Sequence, residues 1–286
     1  MKKVPVTFFV FFVAVFCLIF SGIIFILARR GKKPQLTLAT TTSVYDSGLL
    51  DALLSPFEEE NRCKVKVVGV GSGQAIRLAK EGNVDVILVH DPIREEVFVK
   101  EGYGVRRYNI MYNYFVIVGP EEDPANIKGE KEGVKALKEI AASKSTFISR
   151  GDDSGTHRKE RELWTVAGIE PSGEWYIEAG TGMVGTLRIA NEGRAYTLTD
   201  RGTYLAHRKE LDLSVLIEGG ENLYNLYSVI PLSQERYPYV NYQLAMKLVE
   251  FVTGVKGQDI IRTYGQKEYG RPLFFPLSIS GFSEGN

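Results

Sequence analysis

Phe147-Ile148-Ser149-Arg150-Gly151-Asp152-Asp153-Ser154-Gly155-Thr156-His157 passes from a β-type run, through a turn, into a segment that reads as a helix start. The turn gathers an arginine, hydroxyls and glycines where a helix leaves its first N–H groups without partners. Those groups, with the positive end of the helix dipole, attract a small anion. A guanidinium adds a planar, permanently charged fork suited to oxygens at tetrahedral spacing.

The same arrangement recurs along the chain. Thr40-Thr41-Thr42-Ser43-Val44-Tyr45-Asp46-Ser47-Gly48 is a donor-rich loop after the apolar run Leu36 to Ala39. It precedes Leu49, Leu50, Leu53, Leu54 and Phe57 at helical spacing, with Asp46 or Ser47 available as N-cap. Gly69-Val70-Gly71-Ser72-Gly73 follows the alternating run Lys64 to Val68 and precedes Ala75, Ile76, Leu78 and Ala79. Three strand-loop-helix units therefore carry hydroxyls and glycines at their helix starts, where open α/β sheets bind ligands. Glu178 to Met183 and the strand Ala195 to Thr199 leading into Asp200-Arg201-Gly202-Thr203-Tyr204 repeat the pattern. Val240 to Phe251 and Gly257 to Tyr264 have helical periodicity and close the chain.

Tyr112 to Pro120 and Tyr224 to Pro231 look like two versions of one element, each a β-rich run that opens with Tyr-Asn and ends at proline. As the two strands on which the chain leaves one lobe and returns to it, they divide the molecule. Residues 34–118 with 226–286 form lobe I and residues 119–225 form lobe II. The Thr41 and Ser72 loops then belong to one lobe and the Arg150 loop to the other, facing each other across a cleft that closes by hinge motion.

With 286 residues and 44% hydrophobic composition, the chain can bury one large core or two moderate ones. Cys17 and Cys63 are its two cysteines, and its three histidines are scattered, which leaves no disulfide framework or dedicated metal site. Residues 1–33 hold six basic residues and no acid, so the remainder has 35 − 6 = 29 basic against 35 acidic residues, a net of −6. Nucleic acid needs basic clusters, and this balance argues against it. A buried anion site is still permitted, because local dipoles and one arginine outweigh a diffuse negative field.

Val4 to Leu27 is almost wholly apolar, long enough to span the ~30 Å hydrocarbon layer of a bilayer. Only Ser21-Gly22 offers small residues of the kind a signal peptidase uses, and apolar residues still follow them. Phe16, before Cys17, is bulky where a lipoprotein site needs a small residue. Residues 1–33 are therefore read as an uncleaved signal or membrane-spanning anchor helix.

Together, Thr-Thr-Thr-Ser-x-x-Asp-Ser-Gly-Leu-Leu, Gly-Ser-Gly-Gln-Ala, Ser-Arg-Gly-Asp-Asp-Ser-Gly-Thr-His, Gly-Thr-Gly-Met and Tyr-Thr-Leu-Thr-Asp-Arg-Gly-Thr-Tyr resemble the tungstate-binding proteins of ABC transporters over residues 35–275. The resemblance implies a type II periplasmic-binding-protein fold with two α/β lobes, a two-strand hinge and one oxyanion between them. It also implies an extracytoplasmic, monomeric binding domain that delivers tungstate to a membrane permease driven by a cytoplasmic ATPase, with no cofactor. Carried over by motif, the ligand residues would be Thr41, Thr42 and Ser43 in the first loop, Ser72 in the second, and Arg150, Ser154 and Thr156 in the third. The long leader departs from the family pattern and points to a tethered form.

Each feature taken alone has a plainer reading. Thr41 to Ser43 could be an N-cap cluster, Gly71 to Gly73 a turn, and Arg150 a salt-bridge partner of Asp152 or Asp153. His157 reads as a helix-surface residue, Trp164 and Trp175 as packing, and Glu58 to Glu60 as a solvated helix end. Recurrence before three helices is what favours a site. Phosphate near neutrality carries a proton and needs an acceptor, whereas tungstate, molybdate and sulfate want donors only. Asp152 or Asp153 could supply that acceptor, so phosphate stays open, and molybdate and sulfate stay open beside tungstate because they ask for the same donors. The donor-rich first loop favours the reading in which neither aspartate reaches the ligand and each orients Arg150 or caps the helix. A hydrolase would have to use Ser154 with His157, since neither serine loop reads Gly-x-Ser-x-Gly. A membrane-anchored anion sensor is the third alternative.

Overall fold

The computed structural model describes residues 33–277, and from Gln35 onward they belong to one compact unit. The expected membrane-spanning helix lies outside the described residues. Among them no helix is long and apolar enough to cross a membrane.

Strands β1 (Gln35–Thr41), β2 (Lys64–Val70) and β3 (Val86–Val89) run parallel with β1 in the middle. Leu36, Leu38 and Ala39 of β1 and all four residues of β3 are buried, as expected of parallel strands covered on both faces. Helices α1 (Thr42–Asp46) and α2 (Leu49–Asn61) follow β1, α3 (Ser72–Lys80) follows β2 and α4 (Pro92–Lys100) follows β3. Thr41 pairs with Val70 and Thr40 with both Gly69 and Leu88, so the chain leaves three adjacent strands at one edge of the sheet.

β4 (Tyr108–Pro120) is long enough to serve both halves of the molecule. Its first part, Tyr108 to Tyr114, pairs antiparallel with β9 (Tyr224–Pro231), which in turn pairs with β3. Its second part, Phe115 to Pro120, pairs with β7 (Thr197–Asp200) and β8 (Leu213–Glu218). The two Tyr-Asn runs are therefore direct neighbours. Asn113 stands opposite Asn225, whose Nδ2 donates to Asn113 Oδ1 at 2.8 Å. The two-lobe α/β architecture expected from the resemblance is the one observed.

In the second half, α5 (Gly133–Ser143) precedes β5 (Phe147–Ser149), and β5 pairs parallel with β6 (Tyr176–Glu178). Helices α6 (Gly155–Ala167) and α7 (Met183–Glu192) follow β5 and β6, and α8 (Arg201–His207) follows β7. Phe115, Ile117, Phe147, Leu163, Trp164 and Leu198 form the core here, each worth roughly 1.5–3 kcal/mol of burial. Helices α9 (Tyr242–Thr253), α10 (Val255–Thr263) and α11 (Gln266–Tyr269) return the chain to the first half, where Leu248 and Val252 of α9 join Leu38, Leu53 and Phe57 in one core. β10 (Phe275–Pro276) pairs with β4.

Two expectations need correction. Thr42 to Asp46 is a short helix rather than an open loop, and Gly48, with φ of 76°, stands at the N-cap of α2 in place of Asp46 or Ser47. Glu59 and Glu60 are exposed as a solvated helix end requires, whereas Glu58 is half-buried. It accepts from Val65 N at 2.7 Å and Lys64 Nζ at 2.6 Å, which ties α2 to β2.

Candidate functional site

The second and third donor loops meet face to face. A Cβ placed on Gly71 would lie 3.8 Å from Ser154 Cα, and one on Gly155 would lie 3.0 Å from Ser72 Oγ. The N-termini of α3 and α6 thus converge, bringing two sets of unpaired N–H groups to one point. Ser72 is 1% exposed and its Oγ has no hydrogen-bond partner among the described residues. A buried hydroxyl without a partner is costly in a finished core and suits a place built for a ligand.

Arg150, 4% exposed, leaves β5 directly before this helix start. Asp152 Oδ2 accepts from its Nε at 3.1 Å and from Nη2, while Asp152 Oδ1 accepts from Ser154 N at 3.1 Å. Both acceptor atoms of Asp152 are thereby engaged with the loop, and the carboxylate balances a buried guanidinium that would otherwise be expensive. Asp153 does not touch Arg150; it pairs with Arg94 instead. Glu160, one turn into α6, supports the loop from beneath. It accepts from Trp164 Nε1 at 3.2 Å and Tyr176 OH at 2.7 Å, and burial raises its pKa to about 7.

Ser154 is the N-cap of α6 and its Oγ accepts from His157 N at 3.2 Å. Its O–H remains a donor. Thr156 is buried beside it. The His157 ring does not serve Ser154, because its Nδ1 accepts from Asp153 N at 3.0 Å. No nucleophile and base are paired here, so the hydrolase alternative loses its one candidate.

In the first loop, Thr41 Oγ1 and Ser43 Oγ lie 3.2 Å apart, both buried, and Thr42 is half-buried. Thr40 Oγ1 donates to Leu88 O and belongs to the sheet. Electrostatic interactions link this loop to the others. Arg150 acts on Asp46, whose pKa is raised chiefly by burial, and on His90.

His90, Asn225 and Tyr227 were not singled out from sequence. His90 directly follows the third parallel strand and stacks on Tyr227 at 4.9 Å. Its Nδ1 lies 2.8 Å from Asn225 Oδ1, and Asn225 Nδ2 donates to Asn113 Oδ1 and to Tyr227 OH. That polarity places the histidine proton on Nδ1. Burial depresses its pKa to about 4, so the ring is neutral near pH 7. The signal that would have found it is the Val86 to Val89 run followed by Asp91-Pro92, a further strand end before a capped helix. A cavity of about 770 Å³ opens beside the donor cluster rather than on it, lined by His90, Asp91, Phe115, Gly155, Arg158 and Asn225 among others. Among the described residues, no group of three His, Cys, Asp or Glu side chains could hold a metal ion.

Residues 28–256 match the PBP superfamily domain. The tungstate-binding protein TupA of Peptoclostridium acidaminophilum is 47% identical over 250 residues, covering 87% of this chain and 87% of that protein. This chain belongs to the tungstate-binding protein family. Two solved structures carry the likeness into three dimensions. The tungstate ABC transporter structure from Geobacter sulfurreducens has 51% identity and a TM-score of 0.75, covering 80% of this chain and 98% of that one. The tungstate binding protein TupA from Desulfovibrio alaskensis G20 has 40% identity and a TM-score of 0.75, covering 86% and 99%. In this member of the tungstate-binding protein family, two of the motifs that carry the resemblance, Gly-Ser-Gly-Gln-Ala and Ser-Arg-Gly-Asp-Asp-Ser-Gly-Thr-His, are the ones whose helix starts meet.

Proposed function

We propose that this protein is the extracytoplasmic solute-binding component of an ABC transporter, capturing tungstate between its lobes and delivering it to the permease. The observation that carries this is the meeting of the Gly71-Ser72-Gly73 and Asp153-Ser154-Gly155 turns around a buried serine whose hydroxyl has no partner among the described residues, beside an arginine already oriented by Asp152. The names of its relatives agree with it.

In this reading Thr41, Thr42, Ser43, Ser72, Ser154 and Thr156 donate to the oxyanion, Arg150 supplies charge through the edge of its fork that Asp152 leaves free, and the helix N–H groups complete the shell. Residues 34–118 with 226–286 are assigned to lobe I and 119–225 to lobe II, with the Asn113–Asn225 pair in the hinge. The commitment of Asp152 and Asp153 to arginines supports a site of donors without a carboxylate acceptor, which suits a fully deprotonated tetrahedral anion. The apolar run Val4 to Leu27 supports a membrane anchor, and the family supports placing the binding domain outside the cytoplasm. Membrane fractionation of cells expressing the full-length chain tests it: a soluble product from which the cell has cleaved residues 1–33 refutes the anchor.

Calorimetric titration with tungstate, molybdate, sulfate and phosphate at neutral pH tests the ligand. Saturable tungstate binding with phosphate silent is expected. A response to phosphate alone would move the assignment to phosphate uptake, and silence from all four would refute a binding role.

A further inference from the structure

Arg94 lies in the first turn of α4, in the half that carries Ser72, and reaches across to the half that carries Arg150. Its guanidinium covers Gly73, where a Cβ would sit 2.3 Å from Arg94 Nη1 and 3.5 Å from Asp153 O. From there Nη2 donates to both carboxylate oxygens of Asp153, at 2.8 and 2.9 Å. Asp153 adopts φ of 56°, a left-handed conformation that is uncommon outside glycine and that aspartate tolerates better than most residues.

A second pair runs the opposite way. Arg158 of α6 places Nε 3.0 Å from Oδ2 of Asp91, the N-cap of α4, and that oxygen also lies 3.6 Å from Arg94 Nε. Arg158 Nη1 closes the circuit 4.0 Å from Asp153 Oδ1. Two acids and two arginines thus alternate, one of each from either side. The Asp91 side chain is 5% exposed, that of Arg94 27%, that of Arg158 35% and that of Asp153 57%, so the cluster is shielded at Asp91 and open to solvent and salt at Asp153. The Arg94–Asp153 and Asp91–Arg158 pairs exist only while the two halves are in contact.

We propose that Asp91, Arg94, Asp153 and Arg158 form a clasp between the lobes, with Arg94 as a positioning residue that holds the start of α6 against Ser72. The two adjacent aspartates divide the labour: Asp152 orients Arg150 within its own loop, and Asp153 fastens that loop to the other lobe. The clasp touches no ligand. It adds to the stability of the closed form, and therefore to affinity, and salt weakens it. Gly73 is glycine because Arg94 lies over it. This inference rests on the reading that the cleft binds tungstate.

The test is tungstate calorimetry on the full chain in detergent, comparing wild type with Arg94→Ala, Asp153→Ala and the double variant at low and high salt. Thermal melting verifies that each variant is folded. Each single substitution is expected to weaken binding about threefold to fivefold, and the double no further than either, because an exposed or half-exposed pair is worth that much. At 0.5 M sodium chloride the ratio between wild type and Arg94→Ala should shrink toward one. Gly73→Ala, which displaces Arg94 without removing charge, should reproduce the loss and add nothing to Arg94→Ala. Additive losses, a salt-independent ratio, or wild-type affinity in Arg94→Ala would overturn the clasp alone. Failure of the wild-type chain to bind tungstate would overturn the underlying reading and the clasp with it.

Discussion

Gly155→Ala should separate binding from folding. Gly155 opens α6 in a backbone conformation that any residue can adopt, and alanine is a better helix former. The three atoms nearest the added methyl all belong to the other half. The new Cβ would lie 2.7 Å from His90 Cε1, 2.8 Å from His90 Nε2 and 3.0 Å from Ser72 Oγ. His90 cannot swing aside freely, being held by Asn225 at 2.8 Å and stacked on Tyr227. The two helix starts must therefore separate by several tenths of an ångström, which loosens every donor that depends on their approach. Overpacking of this kind costs about 1–3 kcal/mol, and charged against the closed form alone it corresponds to a loss of tungstate affinity of about 5-fold to 150-fold. The melting temperature of the ligand-free protein should stay within about 2–4 °C of wild type, because neither half is strained when the contact opens. Calorimetric titration together with scanning calorimetry reads both quantities. Gly182→Ala, at the N-cap of α7 with open space around the new methyl, is the control and should change neither. Wild-type affinity in Gly155→Ala would refute the argument that the α3 and α6 starts close on the ligand.

Other consequences can be measured in the same way. Ser72→Ala removes a buried hydroxyl that has no partner among the described residues, so stability should hold or rise by up to about 1 kcal/mol while affinity falls roughly tenfold; equal losses in both would mean the hydroxyl is structural. Asp152→Asn keeps an acceptor for Ser154 N but removes the counter-charge of Arg150, and a weakening of about tenfold is expected by titration; complete loss of binding with the fold intact would place the carboxylate on the ligand. Glu160 should make stability depend on pH. Its folded pKa of about 7 lies above the usual 4.5, so the folded state holds the proton longer, and this contribution is present below pH 4.5 and lost as pH rises through 7, amounting to about 3 kcal/mol. His90, depressed to about 4, acts in the opposite sense between pH 4 and 6.5, and Glu95, raised to about 6, in the same sense as Glu160. Subtracting the denaturation profile of Glu160→Gln from that of wild type cancels both, and a flat difference from pH 4.5 to 8 would show that Glu160 ionises normally.

The helix starts were legible because their determinants are local. Gly71 before Ser72, Ser154 before Gly155 and Asp200 before Arg201 are each followed within four residues by the helix they open, and two of the three cap it through a side chain. Thr42 to Asp46 was less legible, since hydroxyl-rich segments compete between turn and helix and the packing of Val44 settles the matter. Glu58 was misread because its partners lie beyond the end of its own helix.

Sequence alone determined the α/β class, the strand-turn-helix units, the paired Tyr-Asn runs and the donors at the strand ends, for each depends on residues within one or two turns of each other. Tertiary structure alone decided which donors meet. Asn113 and Asn225 pair across 112 positions, His90 and Asn225 across 135, and Arg94 and Asp153 across 59. No local preference sets those distances; they follow from β4 and β9 lying side by side and from the glycines at 71, 73 and 155 letting two helix starts come within contact. The difference between Asp152 and Asp153, adjacent in the chain and of identical chemistry, is likewise a matter of backbone geometry, because a left-handed φ at Asp153 gives its carboxylate to Arg94 while Asp152 keeps Arg150.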